Sequence, residues 1–361
     1  MRRSAAGWLR TAIPVIVLGV VLTTLMLLGT VALRSAGVVC AATAGCPNPP
    51  GPPAYGPAAG SVYRLAGPDR YRTAAAVSMD QWSPGVYGLF VASGENFPDG
   101  LAAAAAAGAR GIPLLLVRRD SIPAEIAAEL ERLDPGWIWV IGGTSVVSLA
   151  VEQALAAYTS GEVERLWGAD RYATAVAISE RLFSATEEVF IATGTSFPDA
   201  LVGSAAAGYL EAPLLLVKRD TIPSVVVQDL ERLIPQKIII LGGTGVISSQ
   251  VEAALQAYAP DVTRIGGVDR YDTAVKISEA TFTFGSQRVY VVTGKNFPDA
   301  LVACAAAGDW NSPVLLVPGT SLPYPVATEV TRLDPDSAVV VGGTSAVSPA
   351  VEQALIPLVG P

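Results

Sequence analysis

The 361-residue chain contains no histidine. That absence removes Ser-His-Asp and Cys-His nucleophilic catalysis, histidine general acid–base work and histidine-ligated zinc. Cysteine is scarce: Cys40, Cys46 and Cys304 are too few for a disulfide scaffold, and their spacing fits no zinc motif. Charge is also scarce, at 16% of residues, and bases are the minority, 24 Lys and Arg against 32 Asp and Glu, for a net charge of −8. A chain with this balance lacks the basic footprint of a nucleic-acid binder, and no nucleic-acid partner is expected. What is abundant is apolar: 51% of residues are hydrophobic, which excludes global disorder. At roughly 100–200 residues per domain, the length allows two or three domains.

Arg2, Arg3 and Arg10 precede an uncharged stretch of 23 residues, Thr11 to Leu33. At about 1.5 Å per residue this is enough to cross a bilayer core of about 30 Å. Residues 1–34 therefore read as a signal-anchor or transmembrane segment, with residues 11–33 in contact with membrane. The basic flank places the rest of the chain outside the cytoplasm. Two alternatives stay open: cleavage near Ala42-Thr43-Ala44, or lipidation at Cys46 after Ala44-Gly45. All three export the remainder of the chain. Residues 35–60 form a spacer in which Cys46 to Gly60 carries six prolines, a composition that favours extended backbone.

From Arg64 onward the chain repeats three times. Arg70, Arg171 and Arg270 are spaced 101 and 99 apart, and Asp99, Asp199 and Asp299 are spaced 100 and 100. The repeats divide the chain at 61–160, 161–260 and 261–361, units large enough to be small domains. In the first repeat, strand-like runs fall at Ser61–Ala66, Tyr87–Ala92, Leu114–Val117 and Trp137–Ile141. Helical runs fall at Asp69–Met79, Asp99–Ala107, Pro123–Leu133 and Ser148–Tyr158. Asp69 and Ser148 stand where helix caps belong, and Gly108 stands where a helix would stop. Strands without polar alternation are buried on both faces, so the pattern predicts doubly wound α/β modules with parallel sheets.

Three polar clusters recur in every repeat. They are R-x-x-G-x-D-R-Y-x-T-A from Arg64, Arg165 and Arg264; G-x-x-F-P-D-[GA]-L from Gly94, Gly194 and Gly294; and G-G-T-x-x-[VI]-S from Gly142, Gly242 and Gly342. Helix capping and glycine turns explain much of this. The clusters nevertheless follow strand ends, where open α/β sheets bind ligands, and they supply arginines and helix N-termini suited to anions. The candidate ligand-binding residues are Arg70, Tyr71, Asp99 and Thr144; Arg171, Tyr172, Asp199 and Thr244; and Arg270, Tyr271, Asp299 and Thr344. The three arginines are expected to pair with the three FPD aspartates, within repeats or across the seams between them. No nucleotide motif is present, so no cofactor is expected, and no residue is assigned a catalytic or metal-ligating role. Cys304 reads as a small core residue.

These three motifs together resemble the cell wall-binding repeat 2 family of Gram-positive surface proteins, over residues 64 to about 355. The resemblance implies three α/β modules in a pseudo-threefold triangle. It implies a non-catalytic envelope protein on the cell surface, attached without covalent bonds to an anionic cell-wall polymer or peptidoglycan-linked glycan. A structural envelope protein without a polymer ligand and a carboxylate-dependent wall hydrolase are the alternatives. Residues 64–158, 165–258 and 264–355 are each net −3, so such binding would rest on local donors rather than bulk charge.

Overall fold

The computed structural model describes residues 60–96 and 98–360. The apolar segment, Cys40, Cys46 and the proline spacer lie outside the described residues, as does Phe97. Among the described residues, no helix is long and apolar enough to cross a membrane.

The first repeat begins with β1 (Ser61–Leu65), α1 (Arg70–Gln81), β2 (Leu89–Ser93) and α2 (Pro98–Arg110). It continues with β3 (Leu114–Val117), α3 (Ala124–Leu133), β4 (Ile138–Ile141) and α4 (Leu149–Leu155), then a short 3₁₀ turn. The second runs through β5 (Val163–Leu166), α5 (Arg171–Leu182), β6 (Glu188–Thr193), α6 (Pro198–Tyr209), β7 (Leu214–Val217), α7 (Ser224–Leu233), β8 (Lys237–Leu241) and α8 (Ser249–Leu255). The third comprises β9 (Asp261–Ile265), α9 (Arg270–Thr281), β10 (Arg288–Thr293), α10 (Pro298–Asp309), β11 (Val314–Val317), α11 (Tyr324–Leu333), β12 (Ser337–Val341) and α12 (Pro349–Leu355). The runs LLLV, LLLV and VLLV are buried end to end. Strands with no wet face suit a parallel sheet covered by helices, and every pairing is parallel.

The first strand of each repeat completes the sheet of another. The three sheets are ordered β3-β2-β4-β5, β7-β6-β8-β9 and β1-β12-β10-β11. Thus β5 pairs with β4 of the first repeat, and β9 with β8 of the second. The ring closes where β1 pairs with β12, Ser61 opposite Ser337 and Leu65 opposite Val341. Arg64 reinforces this closure by an ion pair with Glu352 at 2.8 Å and a hydrogen bond to the Gly342 carbonyl. The closing seam also buries its own polar network. Tyr63 donates to Asp80 at 3.2 Å, Gln81 donates to Asp309 at 2.8 Å, and the buried Arg288 lies 3.8 Å over the Trp310 ring.

The alanine-rich helices α2, α6 and α10 pack on one another at the centre. This arrangement corrects one expectation. Gly108 does not end α2, which continues to Arg110 and is followed by Gly111 at φ 61°. A Cβ on Gly108 would stand 2.9 Å from Gly308 Cα and 3.3 Å from Gly208 Cα. The glycine is there because three helix backbones converge, and a side chain would hold them apart. Cys304 is fully buried in the same helix trio, and burial pushes its thiol up to about 12, which makes it an inert core residue.

Candidate functional site

The R-x-x-G-x-D-R-Y-x-T-A motif builds a strand-to-helix corner. Asp69 is the N-cap of α1 and accepts from Tyr71 N at 3.0 Å and Arg72 N at 2.9 Å; Asp170 and Asp269 do the same for α5 and α9. The motif glycine is forced by crowding, since a Cβ on Gly67 would lie 2.1 Å from Arg72 Cβ. The threonine hydroxyl holds the corner from inside, accepting from the Gly67, Gly168 and Gly267 amides at 3.1, 3.2 and 3.0 Å. Ser148, expected as a cap, has the extended backbone of one, but its side chain makes no capping hydrogen bond.

The DRY arginines and the FPD aspartates face each other across the seams, but among the described residues no ion pair joins them. Asp99 of the first repeat hydrogen-bonds with Thr174 and faces the Arg171 guanidinium of the second. Asp199 is placed the same way against Thr273 and Arg270 of the third repeat. Asp299 closes the cycle against Thr73 and Arg70 of the first. Burial raises all three carboxyls above the usual aspartate range, and the threonine and arginine only partly oppose it. The arginines also bind backbone of their own repeats: Arg70, Arg171 and Arg270 donate to the carbonyls of Gly94, Gly194 and Gly294. Tyr71 and Tyr172 are buried and Tyr271 half-buried, each ring against that glycine, where a Cβ would come within 2.8, 2.7 and 3.0 Å.

The Gly-Gly-Thr turn completes each seam. Gly142, Gly242 and Gly342 have φ of 94°, 93° and 114°, and a Cβ on each would stand 2.5–2.8 Å from the FPD carboxylate. Thr144, Thr244 and Thr344 are exposed on the same turns. The structure therefore brings the predicted Asp, Arg, Tyr and turn residues to three seams, with tyrosine as packing and threonine at the rim. Near the axis Phe197 and Phe297 meet edge to face at 6.3 Å, and Arg70 lies 6.0 Å over Phe297. Among the described residues, no three His, Cys, Asp or Glu residues come together as a metal site would need.

Because the seam carboxyls have raised pKa values, they stabilise the fold most when protonated. That contribution is lost as pH rises from the ordinary aspartate range through their folded values. Asn mimics the protonated form, so the thermal midpoint of the D99N/D199N/D299N variant minus that of the native chain should shrink as pH falls from 7 to 4.5. A difference that stays constant across this range contradicts the burial-raised carboxyls.

Two repeated sets of ion pairs are not legible in the sequence, although Arg64, Arg165 and Arg264 open the first motif. Arg64, Arg165 and Arg264 bind Glu352, Glu152 and Glu252 at 2.8, 2.7 and 3.0 Å, tying each seam strand to the helix after the glycine turn. Glu129, Asp229 and Glu329 are buried and paired with Arg132, Arg232 and Arg332. The signal for both was their hundred-residue recurrence.

Residues 64–152, 165–252 and 264–352 match the family model for Cell wall binding domain 2. An amidase enhancer of Bacillus subtilis is 30% identical over 300 residues, covering 81% of this chain and 40% of that protein. The N-acetylmuramoyl-L-alanine amidase LytC of the same organism is 27% identical over 304 residues, covering 83% and 59%. The chain thus spans well under two thirds of either relative. Cwp6 from Clostridium difficile has the same fold over 84% of this chain and 48% of its own, at a TM-score of 0.79 and 24% identity.

Proposed function

The chain belongs to the Cell wall binding domain 2 family, and we propose on that premise that it is a non-catalytic envelope protein that grips the bacterial cell wall without covalent bonds. The ligand is an anionic wall polymer or a peptidoglycan-linked glycan, and residues 11–33 supply the attachment to the membrane that keeps the protein at the cell surface. The observation that carries this reading is the threefold recurrence of one seam, with an arginine, a half-buried aspartate and an exposed threonine turn in each. An acidic repeat gains no bulk attraction to an anionic polymer, so affinity comes from local donors. Three weak sites on one body engage a repeating polymer together, and such linkage can raise avidity by about 10²–10⁴.

The hydrolase reading is disfavoured by what the carboxylates already do. Asp170, the carboxylate that most directly acts on Asp99, is committed to capping α5. The structural-protein reading draws on the same observation, because capping and packing use much of the repeated motif. Sedimentation with purified walls separates the three. The proposed binder should pellet with intact walls, stay in solution after phosphate-linked polymer is stripped, and release no sugar or peptide. Equal pelleting with stripped walls favours the structural reading, and released fragments favour the hydrolase.

A further inference from the structure

The three seams are alike in Asp, Arg, Thr and the glycine turn, but not in the second residue after the seam-strand arginine. That residue is Ala66 at the closing seam, Trp167 between the first and second repeats, and Gly266 between the second and third. Trp167 is 57% exposed, among the largest apolar surfaces the described residues present to water. Its backbone is not loose. Leu166, immediately before it, is buried and in register with Ile141, and the Leu166 carbonyl accepts from Gly142 N at 2.9 Å. The indole flanks the turn, with Cε3 at 3.8 Å from where a Cβ on Gly143 would stand. A water-facing indole next to an anchored strand end therefore borders the turn that carries Thr144 and receives Asp99, with Arg171 opening the next helix.

Resting on the wall-binding reading above, we propose that the seams divide the work: the Trp167 seam is the pyranose subsite, and the other two take anionic groups without ring recognition. An indole face is apolar and flat, which matches the C–H face of a hexopyranose, while Arg171 at the same seam answers an acidic substituent on the same or the neighbouring sugar. Ala66 and Gly266 offer no such face. The ligand class is thus a polymer containing hexopyranose rings with regularly placed acidic groups, in preference to a ringless polyol phosphate.

The test uses the full chain and two soluble probes: a polysaccharide of alternating neutral and uronic-acid pyranoses, and poly(glycerol phosphate). Titration calorimetry is run on the native chain, Trp167→Ala and Trp167→Phe. Trp167→Ala should bind the polysaccharide about tenfold more weakly or worse, the scale of one stacked aromatic contact. It should bind poly(glycerol phosphate) as the native chain does, and Trp167→Phe should recover most of the loss. Urea midpoints should not move, because the ring is exposed. Unchanged polysaccharide binding by Trp167→Ala, or equal weakening for both probes, overturns the subsite while native retention on walls leaves the wall-binding reading standing. A native chain that binds neither walls nor either probe overturns both.

Discussion

Replacing Arg232 by leucine should cost about 3–5 kcal/mol in urea unfolding, because it strands a buried carboxylate. Asp229 has a side chain with no exposed surface, and its Oδ1 lies 2.6 Å from Arg232 Nη2 and 2.8 Å from Nε. Its other oxygen has no hydrogen-bond partner, so nothing else offsets the charge once the arginine is gone. Arg232 also donates to the Phe183 carbonyl at 2.6 Å and to Ser179 Oγ at 3.1 Å, which joins α7 to the end of α5. Removing the carboxylate instead leaves an arginine with 30% of its side chain in solvent, so Asp229→Asn should cost clearly less. Arg219→Leu is the comparison: its pair with Asp220 is more than half exposed on both sides, and the expected cost is about 0–1 kcal/mol. Equal midpoints for Arg232→Leu and Arg219→Leu would show that the buried pair does not hold the repeat together.

The second large effect is expected at the central axis. A Cβ on Gly208 would stand 3.1 Å from Gly108 Cα and 3.2 Å from Gly308 Cα. Both neighbours are backbone of helices that are themselves pinned, so no side chain can swing aside. Gly208→Ala should cost about 1–3 kcal/mol by overpacking, and Gly208→Val more. The usual helical gain of alanine over glycine, about 1 kcal/mol, acts in the opposite direction and should be outweighed. Gly243→Ala is the control, since a Cβ there meets nothing within 4 Å. A stabilised Gly208→Ala variant would mean that the three helices can separate at little cost.

Much of this fold was readable in the chain because its strands are short, apolar and evenly repeated. The apolar run Leu114–Val117 is β3 to the residue, and Ile126, Leu130 and Leu133 form the buried stripe of α3 as their spacing implies. Asp69 caps α1 as its position before Arg70 suggested. Gly108 reads as a helix stop because punctuation and close approach look the same in one dimension. Only the convergence with Gly208 and Gly308, each a hundred residues away, distinguishes them. The exchange of β1, β5 and β9 between sheets was hidden for a related reason: a strand carries its pattern of burial but not the identity of its neighbour. Glu129 and Arg132 carry no signal of burial, since a charged pair three apart on a helix ordinarily reads as surface and is worth only about 0.2–0.5 kcal/mol. Its burial comes from packing against the end of α1, where Arg132 donates to the Trp82 carbonyl at 2.9 Å.

At the seams the sequence indicated residue types and not partners. Arg171 and Asp99 are candidates for pairing within a repeat or between repeats; the ring topology sets them facing each other between repeats, without an ion pair. The same arginine serves the backbone of Gly194. Binding and architecture therefore share one side chain, and a variant must be judged on both. Glutamine is the informative replacement, because its amide can still donate to the glycine carbonyl while the charge is lost.

The most direct measurement is sedimentation of the Arg70→Gln, Arg171→Gln, Arg270→Gln triple variant with intact walls, beside the native chain and with urea midpoints recorded for both. The native chain should pellet with the walls; the triple variant should retain a folded midpoint and remain in the supernatant. A triple variant that folds and pellets like the native chain would make the arginines architectural only and contradict the assignment of the seams as the wall-binding sites.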